Sequence, residues 1–368
     1  MKFFLSLIFS ATLILSCARS EQTAQTPISL EDRMDGLFAA YAEGTRPGYG
    51  IAILSGEDIV FAKGYGYADV ANQKPLTADT AFNLASLSKQ FTAASTALLI
   101  KDGDLNLDDP LQQHFPETPE FAKTVTIGHL IYMTSGLPEY YSRPSPKGGW
   151  ASEDRFTVQD AIEAVFAAEA LDFEPGSQWN YSNINYQLLA ETTASVSGLA
   201  FNDFMQERIF KPLSMENSWI DAPIDTSRPE RSLAYNWSDE VSDWVESPRL
   251  SPHYGGSGMY SSLNDLAIWI SALFYSEPFG QEFREQMLAT RKYDHDKVND
   301  AFGLVYGSYR GFQTIWYEGG DYGVSTYIAH VPNADITVIC LANFGDAGCW
   351  RKARDVKDML IAFPLNNQ

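Results

Sequence analysis

The chain has 368 residues, of which 45% are hydrophobic, 13% aromatic and 20% charged. This composition is sufficient for a sizeable core, which excludes disordered and fibrous architectures and leaves one large domain or roughly two smaller ones. The 47 acidic residues outnumber the 26 basic ones and give a formal net charge of −21. A field of that sign repels phosphate backbones, so general nucleic-acid binding is disfavoured and neutral or cationic ligands fit better.

The first 17 residues predict an export signal. Lys2 provides a short positive start, residues 3–15 form an apolar stretch too short to span a bilayer comfortably, and Ser16 precedes Cys17. The pattern resembles a bacterial lipobox, which predicts cleavage before Cys17, lipidation of that cysteine and a tether over residues 18–29. Ordinary secretion with cleavage nearby is the alternative. We expect export to the cell envelope in both cases, as a periplasm-facing lipoprotein held to a membrane by its lipid if Cys17 is modified.

Hydrophobic periodicity then predicts secondary structure in chain order. Apolar residues recur at helical spacing from residue 30 to 41, and residues 50–54 and 59–65 predict a β-hairpin. An apolar, Ala-rich helix is predicted at 91–100, with Gly103 as its stop. Strands return late in the chain and are predicted at 302–306, 313–317, 325–331 and 336–342. A helix at 352–361 closes the chain.

This order of elements predicts the fold class. Strands at both ends of the chain and a long helical middle predict one sheet assembled from both termini, with helices inserted between. The class is α+β. After the leader, no apolar run approaches the roughly 20 residues of a transmembrane helix.

A Ser-x-x-Lys pattern, Ser86-Leu87-Ser88-Lys89, stands at the start of the apolar helix. This spacing puts Ser86 and Lys89 on one helix face, about one turn apart. A buried lysine can take the proton of a serine hydroxyl and activate it as a nucleophile without any histidine. The pattern also arises by chance, in which case a serine caps the helix beside a solvated lysine.

Tyr181 and Asn183 stand about 95 residues further on, in a predicted loop before a helix that begins near residue 184. A tyrosine hydroxyl beside an ammonium group can shuttle protons to a leaving group, and an asparagine amide can hold a substrate carbonyl or the lysine. The structural alternative is that Asn183 caps the helix and Tyr181 fills a half-buried loop.

Taken together, these motifs resemble the serine β-lactamase and penicillin-binding-protein superfamily, specifically the class C β-lactamase-like branch with its esterases and D-peptidases. The resemblance covers about residues 30–363. Beyond the two motifs above, it rests on four further segments in the expected order, namely 103–110, 126–130, 134–137 and 260–267. It implies a β-lactamase/transpeptidase-like fold, an antiparallel sheet flanked by helices with an inserted, mostly helical subdomain.

The resemblance also implies an acyl-enzyme cycle. Ser86 is expected to attack a carbonyl, while Lys89 and Tyr181 move protons and Asn183 contacts substrate. The oxyanion hole of the family consists of two backbone N–H groups, which correspond here to Ser86 and Gly320.

The third family motif departs from the pattern. The family carries Lys or His, then Thr, Ser or Gly, then Gly, whereas this chain has Tyr317, Glu318 and Gly319, followed by Gly320. A basic side chain at the first position helps to hold a substrate carboxylate, so efficient β-lactamase activity is not expected. Tyr317, Gly319 and Gly320 remain predicted substrate-binding residues. The negative charge of Glu318 either repels a substrate carboxylate, the opposite of what the family's basic residue does, or its side chain points to the other face of the strand.

Other catalytic patterns are absent from the sequence. The five histidines show no metal-ligand spacing and there is no Gly-x-Ser-x-Gly elbow, so no metal and no cofactor are expected. His129 is expected to pack as a core histidine at a helix start. Cys340 and Cys349 either pair or remain two thiols, since spacing alone does not give the geometry.

The sequence therefore predicts an exported serine hydrolase that acts on a small ester, amide or D-amino-acid peptide and needs no cofactor. Its domain would span 30–363, with a sheet subdomain at 30–85 and 266–363 and a helical subdomain at 86–265. The alternative is a catalytically impaired homologue that binds cell-wall peptide or a protein partner through the same cleft. Covalent labelling that depends on Ser86 separates the two.

Overall fold

The structure, a computed structural model, describes residues 28–42, 45–151, 154–292, 299–300 and 302–365. The predicted export signal, the lipidation site Cys17 and the tether up to residue 27 lie outside the described residues.

Eleven α-helices are described. They are α1 (Leu30–Ala42), α2 (Ser88–Asp102), α3 (Leu111–His114), α4 (Ile127–Ile131), α5 (Val158–Phe166), α6 (Asn183–Ser197), α7 (Phe201–Met205), α8 (Lys211–Leu213), α9 (Leu263–Phe274), α10 (Gln281–Leu288) and α11 (Cys349–Ala362).

The described strands form one large sheet and three small ones. They are β1 (Tyr49–Ser55), β2 (Asp58–Tyr65), β3 (Tyr67–Asp69), β4 (Lys74–Pro75), β5 (Phe82–Asn83), β6 (Trp219–Ile220), β7 (Tyr235–Ser238), β8 (Asp243–Glu246), β9 (Met259–Ser261), β10 (Arg291–Lys292), β11 (Asn299–Asp300), β12 (Val305–Tyr309), β13 (Phe312–Asp321), β14 (Val324–Val331) and β15 (Ile336–Ala342).

The large sheet has eight antiparallel strands in the order β10-β11-β12-β13-β14-β15-β1-β2. The first strand of the chain pairs with the last one, so that Tyr49 lies opposite Ala342 and Ser55 opposite Ile336. The sheet is therefore assembled from both ends of the chain, which confirms the predicted α+β class and the antiparallel, helix-flanked architecture.

The two faces of this sheet belong to two hydrophobic cores. On β1, Ile51 and Ile53 pack towards α1 and α11, whereas Ala52 and Leu54 pack towards the helices inserted in the middle of the chain. Successive side chains on a strand point to opposite faces, so a strand covered on both sides is apolar at nearly every position. This explains why β1 shows a continuous apolar run rather than alternation.

Helix α2 is the central helix of the inserted region. Residues 88–99 are all buried, and Gly103 ends the helix in the left-handed conformation with φ of 81°. Glycine adopts this conformation without the strain a Cβ would cause, so the predicted stop is confirmed. Because α2 is buried all round, any polar side chain on it must find partners inside the protein.

Two local predictions need correction. The strand expected at 302–306 is β12 and begins only at Val305, because the chain bends at Gly303, which has φ of 66° and packs against the backbone of Lys89 and Gln90. The hairpin of β7 and β8 was not expected. Its strands have four residues each and carry charged and polar side chains, so their alternation is weak.

His129 also differs from its predicted role. It is only partly buried, and its ring nitrogen Nδ1 accepts from the backbone N–H of Thr126 in a capping box at the start of α4. The ring therefore caps a helix instead of filling the core.

The structure also decides between the two states left open for the C-terminal cysteines. Cys340 and Cys349 are free and buried, the Cys349 thiol donates to the Ser325 carbonyl, and burial raises the pKa of Cys340 well above its ordinary value. Among the described helices, none is both long and apolar enough to cross a membrane.

Candidate active site

Ser86 lies in a tight turn between the sheet and α2. Residues 85–87 form a single 3-10 turn that runs directly into the helix, and the residue before the serine, Ala85, has φ of 48°. A non-glycine residue in this region is strained, and such strain persists only where the surroundings hold it. Here the Asn83 side chain accepts from the Ala85 N–H at 2.9 Å. Ser88 is the other hydroxyl of the motif, and it is buried and donates to the Ala85 carbonyl.

Lys89 is fully buried and its ammonium group has three acceptors. Nζ lies 3.2 Å from Ser86 Oγ, 2.8 Å from Asn183 Oδ1 and 2.6 Å from the carbonyl of Gly256. An ammonium group has three N–H donors, so these contacts satisfy it completely. The alternative in which the Ser-x-x-Lys pattern arises by chance required a solvated lysine, whereas Lys89 is buried in the structure.

Tyr181 closes the group on its open side. Its hydroxyl lies 2.8 Å from Ser86 Oγ and 3.3 Å from Asn183 Oδ1, and its ring centroid is 4.8 Å from Lys89 Nζ. The side chain is 37% exposed, so it can contact both Ser86 and a substrate. Asn183 is the first residue of α6, and its amide oxygen accepts from Lys89. Of the two contacts expected for this amide, a substrate carbonyl or the lysine, the structure shows the one with the lysine.

Glu139 is a site residue that the sequence analysis missed. Its carboxylate accepts the backbone N–H of Asn183 at 2.5 Å, the Asn183 side-chain amide at 3.4 Å and the N–H of Tyr140 at 3.1 Å. Burial raises the pKa of Glu139, while these hydrogen bonds and the nearby Lys89 charge lower it. The carboxylate caps the start of α6 from a distant loop, which satisfies an N–H group that the helix itself cannot.

The glycines of the third motif lie on β13 and have different surroundings. A Cβ at Gly319 would come within 2.5 Å of the Leu84 carbonyl and 2.9 Å of the Ser86 nitrogen, whereas a Cβ at Gly320 would meet nothing within 4 Å. Thr326 on β14 donates to the same Leu84 carbonyl at 2.9 Å. The sheet thus packs backbone to backbone against the turn that carries Ser86, and only a residue without a side chain fits at 319.

Tyr317 and Glu318 point to opposite faces of β13. Tyr317 is buried in the core on the α2 side and lines the same cleft as Ser86. Glu318 lies opposite Tyr327 in the β13–β14 pair, on the other face, and is also among the residues that line the cleft. Burial raises the pKa of Glu318. The alternative in which Glu318 points away from Tyr317 is the one that the structure supports.

Two cavities open beside Ser86. The larger, of about 440 Å³, has mostly apolar and aromatic walls; its lining side chains include Ile131, Met133, Trp179, Tyr186, Leu304, Val305, Trp316 and Tyr317. Among the described residues that line it, Glu318 is the only one with a charged side chain. A substrate carboxylate would find no cation among these described lining side chains.

The smaller cavity, of about 180 Å³, is polar. Gln187, His253 and Ser257 line it, and each has buried side-chain atoms with no hydrogen-bond partner in the described part of the chain. Burial, together with the Arg249 and Lys89 charges, lowers the pKa of His253 well below its ordinary value, so this ring is neutral. Asp321 also lines the cavity.

The predicted site residues therefore come together around one point, although their roles remain predictions. Ser86, Lys89, Tyr181 and Asn183 are in direct contact, and Gly320 lines both cavities. No group of three or more His, Cys, Asp or Glu side chains suited to a metal ion occurs among the described residues.

Comparison with known proteins gives one family. The family model described as Beta-lactamase matches residues 32–356. Penicillin-binding protein 4* of Bacillus subtilis (strain 168) is 29% identical over 308 residues, which cover 80% of this chain and 67% of that protein. The D-alanyl-D-alanine-carboxypeptidase/endopeptidase AmpH of Escherichia coli (strain K12) is 28% identical over 358 residues. The match covers 90% of this chain and 89% of that protein.

Further relatives differ in how much of their length is matched. The D-aminopeptidase of Gluconobacter oxydans (strain 621H) is 25% identical over 81% of this chain, which spans only 56% of that enzyme. Among solved structures, the octameric penicillin-binding protein homologue from Pyrococcus abyssi is similar with a TM-score of 0.77 at 25% identity, over 90% of this chain and 76% of that one. The D-amino acid amidase from Ochrobactrum anthropi SV3 shares the fold, with a TM-score of 0.74 at 22% identity over 90% of this chain and 99% of that one.

Proposed function

The chain belongs to the β-lactamase family of serine hydrolases, and from this premise we propose that it is an exported enzyme which acylates Ser86 and cleaves a small ester, amide or D-amino-acid peptide. The observation that carries the proposal is the contact of Ser86 Oγ with both Lys89 Nζ at 3.2 Å and Tyr181 OH at 2.8 Å. The names of the relatives, a carboxypeptidase/endopeptidase and a D-aminopeptidase, support a peptide-like substrate.

The geometry accounts for each proton transfer. When Lys89 gives up one proton, its two remaining N–H groups still reach Asn183 Oδ1 and the Gly256 carbonyl, and its lone pair faces Ser86 Oγ. The serine proton then passes to the lysine as Oγ attacks the carbonyl carbon. Tyr181, in contact with the same Oγ, gives a proton to the departing amine or alcohol as the acyl bond breaks.

Water completes the cycle in the proposed mechanism. The tetrahedral intermediates place their negative oxygen between the backbone N–H groups of Ser86 and Gly320. Deprotonated Tyr181 takes a proton from a water molecule, which attacks the acyl carbon and releases the acid while Oγ regains its proton from Lys89. No other reactant is needed.

The walls of the larger cavity support an apolar or uncharged leaving group. The third family motif holds a substrate carboxylate on this side, and here Tyr317 occupies the position of the basic residue, with Glu318 also lining the cavity. A carboxylate placed there would lose its hydration without gaining a cation. Esters, amides and internal peptide bonds are therefore better substrates in this proposal than penicillins, which carry a carboxylate.

The test is intact-mass spectrometry after incubation with a fluorophosphonate, and separately with a penicillin. We expect an adduct with the fluorophosphonate that is lost in Ser86→Ala and Lys89→Ala, with little or no adduct from the penicillin. Ser88→Ala is the matched control, because this hydroxyl is buried two residues away and should not affect labelling. Adducts with both probes would favour penicillin-binding chemistry, and none with either, on folded protein, would favour the impaired homologue that only binds.

The proposed location is the cell envelope. It rests on the leader sequence and on Cys17, and the lipid is the proposed contact with the membrane. Metabolic labelling with an alkyne-bearing fatty acid tests it, since label should enter the wild type and not Cys17→Ala. Equal labelling of the two would contradict lipidation at this cysteine.

A further inference from the structure

A second groove lies at the end of the molecule away from Ser86. It has a volume of about 340 Å³ and runs beneath the C-terminal half of α11, over one face of the sheet. Its walls are mostly apolar, and the lining side chains include Phe312, Val331, Ile336, Leu360, Ile361 and Leu365. This volume is within the range of small-molecule sites in proteins.

One cation lines this groove. Lys357 on α11 is only 6% exposed, and its Nζ lies 4.4 Å from the ring centroid of Tyr309 and 5.6 Å from that of Tyr327. In the part of the chain that the structure describes, no carboxylate lies within ion-pair distance of Nζ. Aromatic rings compensate a buried ammonium group only in part, and burial accordingly lowers the pKa of Lys357.

The neighbouring carboxylate is already engaged. Asp358 pairs with Arg310 Nε at 2.7 Å and Nη2 at 2.8 Å and also accepts from the Tyr309 hydroxyl. It raises the pKa of Lys357 only from a distance. A buried cation without a carboxylate partner is uncommon, and in a chain of net charge −21 it is not explained by a general excess of positive charge.

We propose that this groove binds an aliphatic monocarboxylate, with the carboxylate on Lys357 and the hydrocarbon chain along the apolar residues of α11 and the sheet. Charge complementarity selects the head group, because Lys357 is the only charged side chain among the described residues that line the groove. The tail follows from the apolar residues of α11 and the segment after it that line the groove, Leu360, Ile361, Pro364 and Leu365, since burial of methylene groups against apolar walls is favourable. The site is separate from Ser86 and does not depend on the proposed hydrolysis.

Equilibrium dialysis of the purified chain against decanoate tests the proposal, with 1-decanol and decyltrimethylammonium as neutral and cationic probes. We expect saturable binding of one decanoate per chain and much weaker binding of the other two. Lys357→Met keeps the aliphatic stem and removes the charge, and should weaken decanoate binding by about tenfold to a hundredfold. Fluorophosphonate labelling of Ser86 should be unchanged in this variant.

A second variant makes the test independent of Lys357. Ala334 is exposed on the turn between β14 and β15 and lines the groove, so Ala334→Trp should fill the groove without disturbing the core. We expect it to abolish decanoate binding. The proposal is overturned if the wild type binds no decanoate saturably, if both variants bind it as tightly as the wild type, or if decanol binds equally well.

Discussion

At the scale of single residues, the site is organised around the charge of Lys89. The lysine is fully buried, yet the three oxygens that accept its hydrogen bonds are all neutral. The Glu139 carboxylate does not contact the lysine directly and interacts with its charge from beyond Asn183. Glu139 accepts hydrogen bonds from Asn183, and the Asn183 amide oxygen accepts one from Lys89. We therefore regard Glu139 as a positioning residue that acts on Lys89 through Asn183.

Glu139→Gln tests this role. The amide group places an N–H or a weaker acceptor against the Asn183 N–H, so we expect acylation of Ser86 to slow by about tenfold. The rate of fluorophosphonate labelling of Ser86 measures this change.

The matched control for this change is Glu191→Gln. Glu191 lies on α6, the helix that begins at Asn183, and accepts from Tyr254. Glu191→Gln should leave the labelling rate unchanged. Equal slowing in the two variants would contradict the positioning role of Glu139.

At the scale of elements, the nucleophile is placed by the packing of β13 and β14 against the turn before α2. The Gly319 backbone and the Thr326 hydroxyl both contact this turn, which holds Ala85 at a positive φ. The turn and the strand are separated by more than 200 residues, so neither can take this position alone. The two glycines of the motif, adjacent in sequence, have unequal steric requirements.

Gly319→Ala and Gly320→Ala form a matched pair. The first places a methyl group within 2.9 Å of the Ser86 nitrogen and of the Leu84 carbonyl, so the turn must shift. Loss of the oxyanion position costs about 10²–10³ in rate, and we expect a loss of this size for Gly319→Ala in hydrolysis of a chromogenic ester.

Gly320→Ala should keep most of the activity, since its methyl group meets nothing within 4 Å. Circular dichroism and thermal unfolding establish that both variants are folded. Equal losses in the two, or a larger loss at 320, would contradict the packing described here.

At the scale of the whole molecule, the sheet separates two cores, and two neutral histidines are buried on the side of α2 and α9. His253 lies beside the active site, and His330 on β14 stacks on Phe274 of α9 with ring centroids 4.2 Å apart. Burial lowers the pKa of His330 to about 4. An imidazole that is neutral in the folded state binds protons more readily once the chain unfolds, so acid destabilises the fold.

The sign and size of this effect follow from the two pKa values. The pKa of the His330 imidazole is about 6.5 in the unfolded chain. Between pH 6.5 and pH 4 the unfolded chain therefore binds more protons at this residue than the folded protein does, and stability falls as the pH falls. From pH 7 to pH 5, His330 should account for about 2 kcal/mol of the lost free energy of unfolding.

His330→Phe keeps the ring stacking and removes the titration. Urea unfolding of both proteins at pH 7 and pH 5 should show a smaller pH dependence in the variant by about that amount. The variant should also be less stable at pH 7 by about 1 kcal/mol, because the 3.0 Å contact with Thr337 Oγ1 is lost. The same pH dependence in both proteins would contradict a neutral His330.

By itself the sequence determined the elements whose signal is local. Helical spacing at α1, alternation and apolar runs at β1, β2, β14 and β15, and Gly103 after α2 are each set by which residues face a core or adopt a positive φ. The shorter β7–β8 hairpin and the start of β12 were not predictable, because their positions depend on packing against distant backbone, as at Gly303.

Only the tertiary structure decided the site. The sequence singled out Ser86, Lys89 and Tyr181 as candidates, but the contacts of the site, including those of the Gly256 carbonyl and the Glu139 carboxylate, join residues 44 to 167 positions apart. The same holds for Lys357 and its groove, which β12, β13, β14 and α11 form together. Local periodicity tells which face of an element is buried, whereas the partner across that face depends on how the whole chain packs.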